Sequence, residues 1–236
     1  MAILEKIILV TKPRVEHIKN SFNEIHNDYI FEKTFIFEKG KIYGIVGEYG
    51  EGGELISALV SGRIPICEEE IYCDDVKVNN FTMQDIGWYV GKSEYSKGLI
   101  KKEISARKAL NYAVNQYHRY ANVEEITNEF HLTSDRLDYR LSQYSGERWR
   151  VSLAIGYACR KEIYSFSWMN TSRFNSILLS SGVFRFFKKM REEGAIIILP
   201  TSRKENVVGF VDEVIEINNP EYKAVISEHP YFKENY

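Results

Sequence analysis

The sequence predicts a mixed α/β fold with a mostly parallel sheet and antiparallel strands near the amino terminus. Two observations predict it. After the turn at residues 39–41, short apolar runs alternate with stretches of helical periodicity, which is typical of strand–helix–strand units in a parallel sheet. Before that turn, residues 3–10 and 29–37 alternate apolar and polar side chains with no intervening helix, which favours antiparallel strands.

Each predicted element follows from its local pattern, with turn residues and glycines marking the ends. Strands are predicted at residues 3–10, 29–37, 42–46, 71–72, 76–78, 88–90, 163–166, 196–199 and 210–217. Helices are predicted at residues 55–60, 103–120, 124–130, 146–160 and 174–193. We expect Asn79-Asn80 to form a turn and Pro200 to stop the strand before it, because proline lacks a backbone N–H.

Composition excludes several classes of function. The chain has 236 residues and a net charge of −2, so it offers one domain with its own core but no bulk attraction to nucleic acid. No apolar run approaches the roughly 20 residues of a membrane span, and the first residues lack a signal-peptide profile. We therefore expect a cytoplasmic protein. The three cysteines and five histidines are scattered, which predicts free thiols and no metal site.

A glycine-rich loop follows the apolar run at residues 42–46. Gly47, Gly50 and Gly52 fit the phosphate-loop pattern G-x-x-x-x-G-K-[ST], in which backbone N–H groups surround phosphate oxygens. Gly53 stands at the lysine position and Glu54 at the hydroxyl position. A carboxylate about 4 Å from a phosphate charge would repel it by roughly 4 kcal/mol at an effective dielectric of 20. The loop therefore predicts the shape of a phosphate site without its chemistry.

A second motif, Leu141-Ser142-Gln143-Tyr144-Ser145-Gly146-Glu147-Arg148, leads into an apolar helix. It resembles the L-S-G-G-Q signature of ATP-binding cassette (ABC) proteins, and the order of glycine loop, helical insert, signature, strand and switch loop matches that family over about residues 1–225. Ser145 and Gly146 keep the first two key positions, whereas Glu147 and Arg148 replace the second glycine and the glutamine. Arg148 either supplies a positive charge or is an exposed arginine at a helix start.

The resemblance implies a P-loop NTPase-like core and a division of the chain. About residues 1–92 and 150–225 would form the core with its antiparallel β subdomain, about residues 93–145 a helical subdomain, and residues 219–236 a tail at the edge. In this family two domains pair head to tail, and each ATP lies between one domain's glycine loop and the other's signature.

The positions that carry hydrolysis in the family hold other residues here. Ser167 and Trp168 stand where the magnesium aspartate and the catalytic glutamate would be, and Ser202 stands at the switch histidine. Lys92 takes the position of the magnesium-contacting glutamine, either to reach a phosphate or as a solvated loop lysine. Phe22 and Tyr29 are candidates for the aromatic residue that stacks on adenine, with core packing as the alternative role of Tyr29. We expect no hydrolysis and no cofactor at this chain's own site, with ATP and magnesium shared only through a partner's site.

The leading hypothesis is a non-hydrolysing cassette subunit of an ABC transporter, on the inner face of the membrane. Its partners would be a competent ATPase subunit and a transmembrane permease subunit. Four residues either line the permease groove or pack in the core of the helical subdomain: Tyr95, Leu99, Ile100 and Leu110. An alternative is an inactive scaffold or regulator that binds another cassette protein without a transporter. A third hypothesis is a rewired enzyme whose loop carboxylates, Glu48, Glu51 and Glu54, bind a cation.

Overall fold

The computed structural model describes residues 4–92 and 102–219. The strands in these ranges are β1 (Lys6–Val10), β2 (Arg14–Lys19), β3 (Ile25–Ile30), β4 (Thr34–Glu38), β5 (Ile42–Val46), β6 (Glu70–Cys73), β7 (Val76–Val78), β8 (Gly87–Tyr89), β9 (Ile163–Ser165), β10 (Ile196–Thr201) and β11 (Glu213–Glu216). The α-helices are α1 (Gly53–Val60), α2 (Asn80–Ile86), α3 (Ala106–Tyr117), α4 (Val123–Glu129), α5 (Arg148–Ala158), α6 (Thr171–Phe174), α7 (Phe187–Glu192) and α8 (Lys204–Val207).

The central sheet has five parallel strands in the order β11-β5-β10-β9-β8. Its middle strand, β10, is buried along its whole length, as expected for a strand covered on both faces. Helices α1 and α5 are also buried along nearly their whole length. The prediction of a mostly parallel α/β core is confirmed.

The antiparallel part predicted at the amino terminus is also present, but it forms two sheets. One sheet has four strands in the order β4-β1-β6-β7, and the other is the β2-β3 hairpin. In the larger sheet, β1 alternates buried and half-buried residues, so only one of its faces joins the core. The hairpin packs on α1, which brings β3 beside the glycine loop (residues 47–54).

The helices between the two halves of the parallel sheet pack on one another. Helix α3 contacts α5 and α4, and both α3 and α4 begin with a side-chain cap. Ser105 caps α3 by accepting from the N–H of Lys108, and Asn122 caps α4 by accepting from the N–H of Glu125, which satisfies N–H groups that a helix start leaves unpaired. Leu110 of α3 is fully buried, so of its two expected roles, groove lining or core packing, the structure supports core packing. Tyr95, Leu99 and Ile100 lie outside the described residues.

Two predicted elements are divided in the structure. Residues 29–37, predicted as one strand, are split because β3 pairs with β2 whereas β4 pairs with β1. Phe31 lies between β3 and β4, and its carbonyl accepts a hydrogen bond from the Thr11 hydroxyl at 2.6 Å. The helix predicted over residues 174–193 is broken at Gly182, whose φ of +76° lies in the left-handed region. A π-helical stretch (Asn175–Ser180) precedes it and a 3-10 turn (Val183–Phe186) follows it.

Two expectations about strand and helix ends are wrong. Asn79 is not a turn residue but the N-cap of α2, since its side chain accepts from the N–H of Thr82 at 3.1 Å. Pro200 does not end its strand, because β10 continues to Thr201. The N–H of Ile196 donates to the carbonyl of Glu162, just before β9. The N–H groups of the even-numbered residues of β10 therefore point towards β9. Because β9 ends at Ser165, Pro200 lies past the end of this ladder, where its missing N–H breaks no bond between the two strands.

The packing of α5 against the parallel sheet can be tested by adding one methyl group at a glycine of the helix. A Cβ at Gly156 of α5 would lie 2.6 Å from the indole of Trp88, which is held by its bond to the Ser152 carbonyl at 2.9 Å. Alanine gains about 1 kcal/mol of helix propensity over glycine, but overpacking costs about 1–3 kcal/mol. We expect Gly156→Ala to lower the free energy of unfolding by about 1–2 kcal/mol in a denaturant titration. Gly146→Ala is the matched control, since a Cβ there meets no atom within 4 Å; equal losses would contradict the tight packing.

Candidate functional site

The glycine loop connects β5 to α1 at the carboxyl edge of the parallel sheet. The N–H of Gly47 donates to the carbonyl of Thr201 at 3.0 Å, which fixes the start of the loop beside the end of β10. Gly50 and Gly52 have φ values of +94° and +102°, a conformation that residues with a Cβ adopt with strain. The glycine pattern therefore has its predicted backbone shape, and its N–H groups lie at the start of α1.

The carboxylate of Asp28 accepts hydrogen bonds from N–H groups at the start of α1. Asp28 belongs to β3 and is fully buried. It accepts hydrogen bonds from the N–H of Gly52 at 2.8 Å and from the N–H of Leu55 at 2.6 Å. The N–H of Tyr29 also donates to the carbonyl of Gly50 at 2.9 Å. A helix start with free N–H groups attracts an anion, and here the protein supplies its own. We call this the Asp28 contact.

Burial raises the pKa of Asp28 to about 6, and the hydrogen bonds from Gly52 and Leu55 oppose that rise. Asp28 is therefore mostly ionised at pH 7. Its negative charge lies at the positive end of the dipole of α1, where a phosphate would otherwise be stabilised.

Glu54 lies at the first turn of α1 and is also fully buried. Its carboxyl group accepts from the N–H of Trp168 at 2.8 Å and is hydrogen-bonded to the hydroxyl of Tyr89. Burial raises the pKa of Glu54 to about 8, although the Trp168 bond lowers it. Burial therefore disfavours the charged form of Glu54, and the N–H groups at the start of α1 bind the carboxylate of Asp28.

Ser167 and Trp168, predicted at the positions of the two family acids, close the other side of the loop. The hydroxyl of Ser167 accepts from the N–H of Ser21 at 3.0 Å and is 2.7 Å from the hydroxyl of Tyr89. The indole N–H of Trp168 donates to the carbonyl of Gly47 at 2.9 Å. The hairpin, the glycine loop, β8 and the end of β9 are therefore joined by one buried polar network.

Three further predicted residues have structural partners. The ring of Phe22 lies 5.1 Å from that of Trp149, with the Arg173 guanidinium 4.2 Å from its centroid. The backbone N–H of Tyr29 donates to the carbonyl of Gly50 in the glycine loop. Ser202 follows β10, and its N–H donates to the carbonyl of Met169 at 3.2 Å.

The three loop carboxylates proposed to bind a cation have different surroundings. Glu48 is exposed, whereas Glu51 is buried and accepts from the N–H of Glu48 at 2.8 Å. Glu54 faces Trp168 and Tyr89 instead. Within residues 4–92 and 102–219, no three metal-ligating side chains come together.

The signature residues lie apart from this network, at the start of α5. Ser145 and Gly146 are exposed, and the space next to Gly146 is open. The carboxylate of Glu147 accepts from the N–H of Thr133 at 2.7 Å. Arg148 is half-buried, and its guanidinium donates to the carbonyl of Gly91 at 2.6 Å and 3.0 Å. It therefore connects α5 to the segment that carries Lys92, and both side chains line one cavity.

Solved structures share this fold, although no family model and no curated protein matches the chain. It is similar to an ATP-binding subunit of an ABC transporter, with 16% identity, a TM-score of 0.62 and coverage of 89% of this chain and 87% of the other. It is also similar to cbiO1 of Clostridium perfringens, which is described as part of the transporter complex cbiONQ. The identity is 15%, the TM-score is 0.62, and the match covers 98% of this chain and 94% of the other. A third similar structure is a dimeric ATP-binding cassette in a post-hydrolysis state with ADP and Pi. The identity is 16%, the TM-score is 0.64, and the match covers 90% of this chain and 94% of the other.

The chain has the ABC cassette fold. At these identities the likeness concerns the fold, and the predicted fold class is confirmed down to the parallel sheet with its antiparallel and helical parts. None of the helices in the described parts of the chain has the length and apolarity to cross a membrane.

Sequence reasoning missed Asp28, the residue that fills the glycine loop. A signal existed: Asp28 and Ile30 share the inward face of an alternating strand, and a carboxylate on such a face needs a buried partner. Tyr89 and Ser21 were missed as well, since a tyrosine in an apolar run and a serine in a turn carry no distinctive signal.

The raised pKa of Glu54 predicts a pH dependence of stability. The folded pKa, about 8, exceeds the ordinary 4.5, so the contribution of protonated Glu54 to stability is fully present below pH 4.5 and is lost as the pH rises through 8. Between pH 6 and 8 we expect the free energy of unfolding to fall by on the order of 1 kcal/mol per pH unit. Glu54→Gln keeps the acceptor for Trp168 and should flatten this fall in urea titrations. The exposed Glu48→Gln is the control; a slope unchanged by Glu54→Gln would contradict the assignment.

The Asp28 contact predicts chemical rescue. Asp28→Ala leaves the buried N–H groups of Gly52 and Leu55 without their acceptor, at a cost of about 1–3 kcal/mol for each. We expect Tm to fall by several degrees and formate, a carboxylate small enough for the vacated space, to restore part of it. Asp28→Asn retains one acceptor oxygen, so its Tm should lie between those of the wild type and Asp28→Ala. Formate that raises Tm equally in the wild type would show that it acts elsewhere.

Proposed function

We propose that this chain is an ABC transporter cassette subunit that does not hydrolyse ATP at its own glycine loop and completes the ATP site of a competent partner. The observation that carries the proposal is the Asp28 contact. For a phosphate to reach the N–H groups of Gly52 and Leu55, the carboxylate and the strand that bears it must leave.

The residues around the loop support the absence of hydrolysis. Gly53 and Glu54 offer neither the lysine nor the magnesium-binding hydroxyl that the family resemblance implies. Ser167 and Trp168 provide no carboxylate to hold magnesium or activate water. Loss of one general base alone typically slows a reaction by about 10²–10⁴-fold, and here positioning, metal binding and base are all affected.

The exposed residues just before α5 support a role towards a partner. Ser145 and Gly146 are accessible, and no atom lies within 4 Å of a Cβ built at Gly146. The signature of one cassette faces the nucleotide of the other in the head-to-tail pairs of this family, and one of the similar structures is described as a dimer. A homodimer of this chain would contain two loops occupied by Asp28, so the productive pair is a heterodimer with an intact cassette.

The remaining partner is a permease subunit in the membrane. One similar structure is described as part of an ABC transporter complex, and the described residues of this chain include no helix suited to crossing a membrane. We infer that the chain lies on the cytoplasmic side of the membrane, bound to the permease.

The test is the ATPase activity of the complex. We expect the chain to copurify with an intact cassette and a permease, and Ser145→Arg to lower ATP turnover by about 100-fold, comparable to loss of one group that stabilises transition-state charge. Ser180→Arg is the control, because Ser180 is an exposed serine outside the signature.

Three outcomes separate the hypotheses. Turnover by the isolated chain would contradict an inactive loop. Unchanged turnover of the complex with Ser145→Arg would contradict a shared ATP site. Copurification with a cassette but no permease, together with reduced turnover of that cassette, would favour the regulator.

A further inference from the structure

A cavity of about 230 Å³ beside the closed loop is lined by basic and neutral polar residues. We call it the cationic cavity. Its basic side chains come from four separate segments: the end of β2, the turn after α1, the loop after β8, and the first residue of α5. The lining residues among those described are Lys19, Arg63, Lys92 and Arg148, with Asn20, Ser21 and Asn23.

The hairpin turn that forms one wall is held in place. The N–H of Asn20 donates to the carbonyl of Glu24 at 2.9 Å, which closes the turn. The N–H of Ser21 donates to Ser167 at 3.0 Å, so the wall is attached to the buried network of the loop. The geometry of this wall therefore depends on β3 being seated on the glycine loop.

The two guanidinium groups are oriented by their contacts. Arg63 donates to the carbonyl of Lys19, and its guanidinium lies 4.3 Å from the ring centroid of Tyr89. Arg148 is fixed to the carbonyl of Gly91. An oriented guanidinium loses less entropy when it binds an anion than one that must be ordered first.

The charge pattern selects the ligand. No acidic side chain is among the described lining residues, whereas four of them are basic, and clustered cations attract an anion. Arginine and lysine together match phosphate oxygens, the former through paired N–H donors and the latter as a point charge. The volume is roughly 15 to 23 times the 10–15 Å³ that a single water needs, which leaves room for an anion of several heavy atoms.

We propose that the cationic cavity binds a multiply charged phosphoryl anion, either free pyrophosphate or the phosphate tail of a nucleotide. The site is separate from the N–H groups at the start of α1, which Asp28 occupies, and it does not depend on the pairing proposed above. Phosphate recognition in this chain would then reside beside the glycine loop and not in it.

Calorimetry with pyrophosphate tests this directly on the purified full chain. We expect binding at about 50 mM salt that weakens at about 300 mM, as the affinity of an anion for clustered cations should. The double variant Lys19→Gln/Lys92→Gln should weaken binding at least about tenfold, whereas Lys19→Arg/Lys92→Arg should retain it. Both lysines are exposed, so the fold should tolerate the changes, and circular dichroism checks this.

The matched control is Lys188→Gln/Lys204→Gln, which removes the same charge at two exposed lysines outside the cavity. It should bind pyrophosphate as the wild type does. Equal weakening in both double variants would overturn the proposal, because the attraction would then be unspecific. No binding by the wild type at millimolar pyrophosphate would overturn it as well.

A comparison of ligands distinguishes the two sources of the anion. Equal affinity for ATP and pyrophosphate, both lost in Lys19→Gln/Lys92→Gln, would identify the phosphoryl group alone as the ligand. Tighter binding of ATP, lost in the same variant, would identify a nucleotide. Binding of pyrophosphate but not of ATP would identify the free anion. Pyrophosphate binding that survives in Lys19→Gln/Lys92→Gln would place the anion elsewhere and overturn the assignment.

Discussion

The hydrogen bonds between the Asp28 carboxylate and the first N–H groups of α1 are the constraint on which the rest of the site depends. A glycine loop at a helix start leaves N–H groups that need an acceptor once they are buried. Asp28 supplies it from β3. Because the acceptor is part of a hairpin, satisfying the helix start also seats that hairpin on α1, and this seating closes the loop and places Ser21 against Ser167.

The two buried acids of the site differ in pKa for a physical reason. Both are desolvated, which raises the pKa of each. Asp28 faces two backbone donors at the positive end of a helix, so its ionised form is partly compensated. Glu54 has one backbone donor and a neighbouring negative charge at Asp28, which also raises its pKa. Of the two groups, Asp28 is the one whose charged form is better stabilised, and its carboxylate occupies the position suited to a phosphate.

The sequence was sufficient for the elements whose patterns are local. The run from β5 through the glycine loop to α1, the helix after the signature and the buried strand β10 all follow from apolar periodicity and glycine placement. What it missed depends on long-range packing. The inward position of Asp28 and its contact with the loop are set by a hairpin whose bonding partners lie 24 and 27 positions further along the chain. The division of residues 29–37 likewise results from two strands that pair in different sheets.

Under the proposed function, the closed loop and the open signature are two consequences of one arrangement. In the proposed head-to-tail pair, each cassette needs its signature for the partner's nucleotide and its glycine loop for its own. A chain that serves only the partner's site keeps the first requirement and loses the second, so its loop can become part of the core. The carboxylate that fills the loop stabilises the hairpin, and the hairpin turn in turn forms a wall of the cationic cavity. Anion binding next to the loop is therefore compatible with a loop that accepts no phosphate, because the contact that closes the one site builds the other.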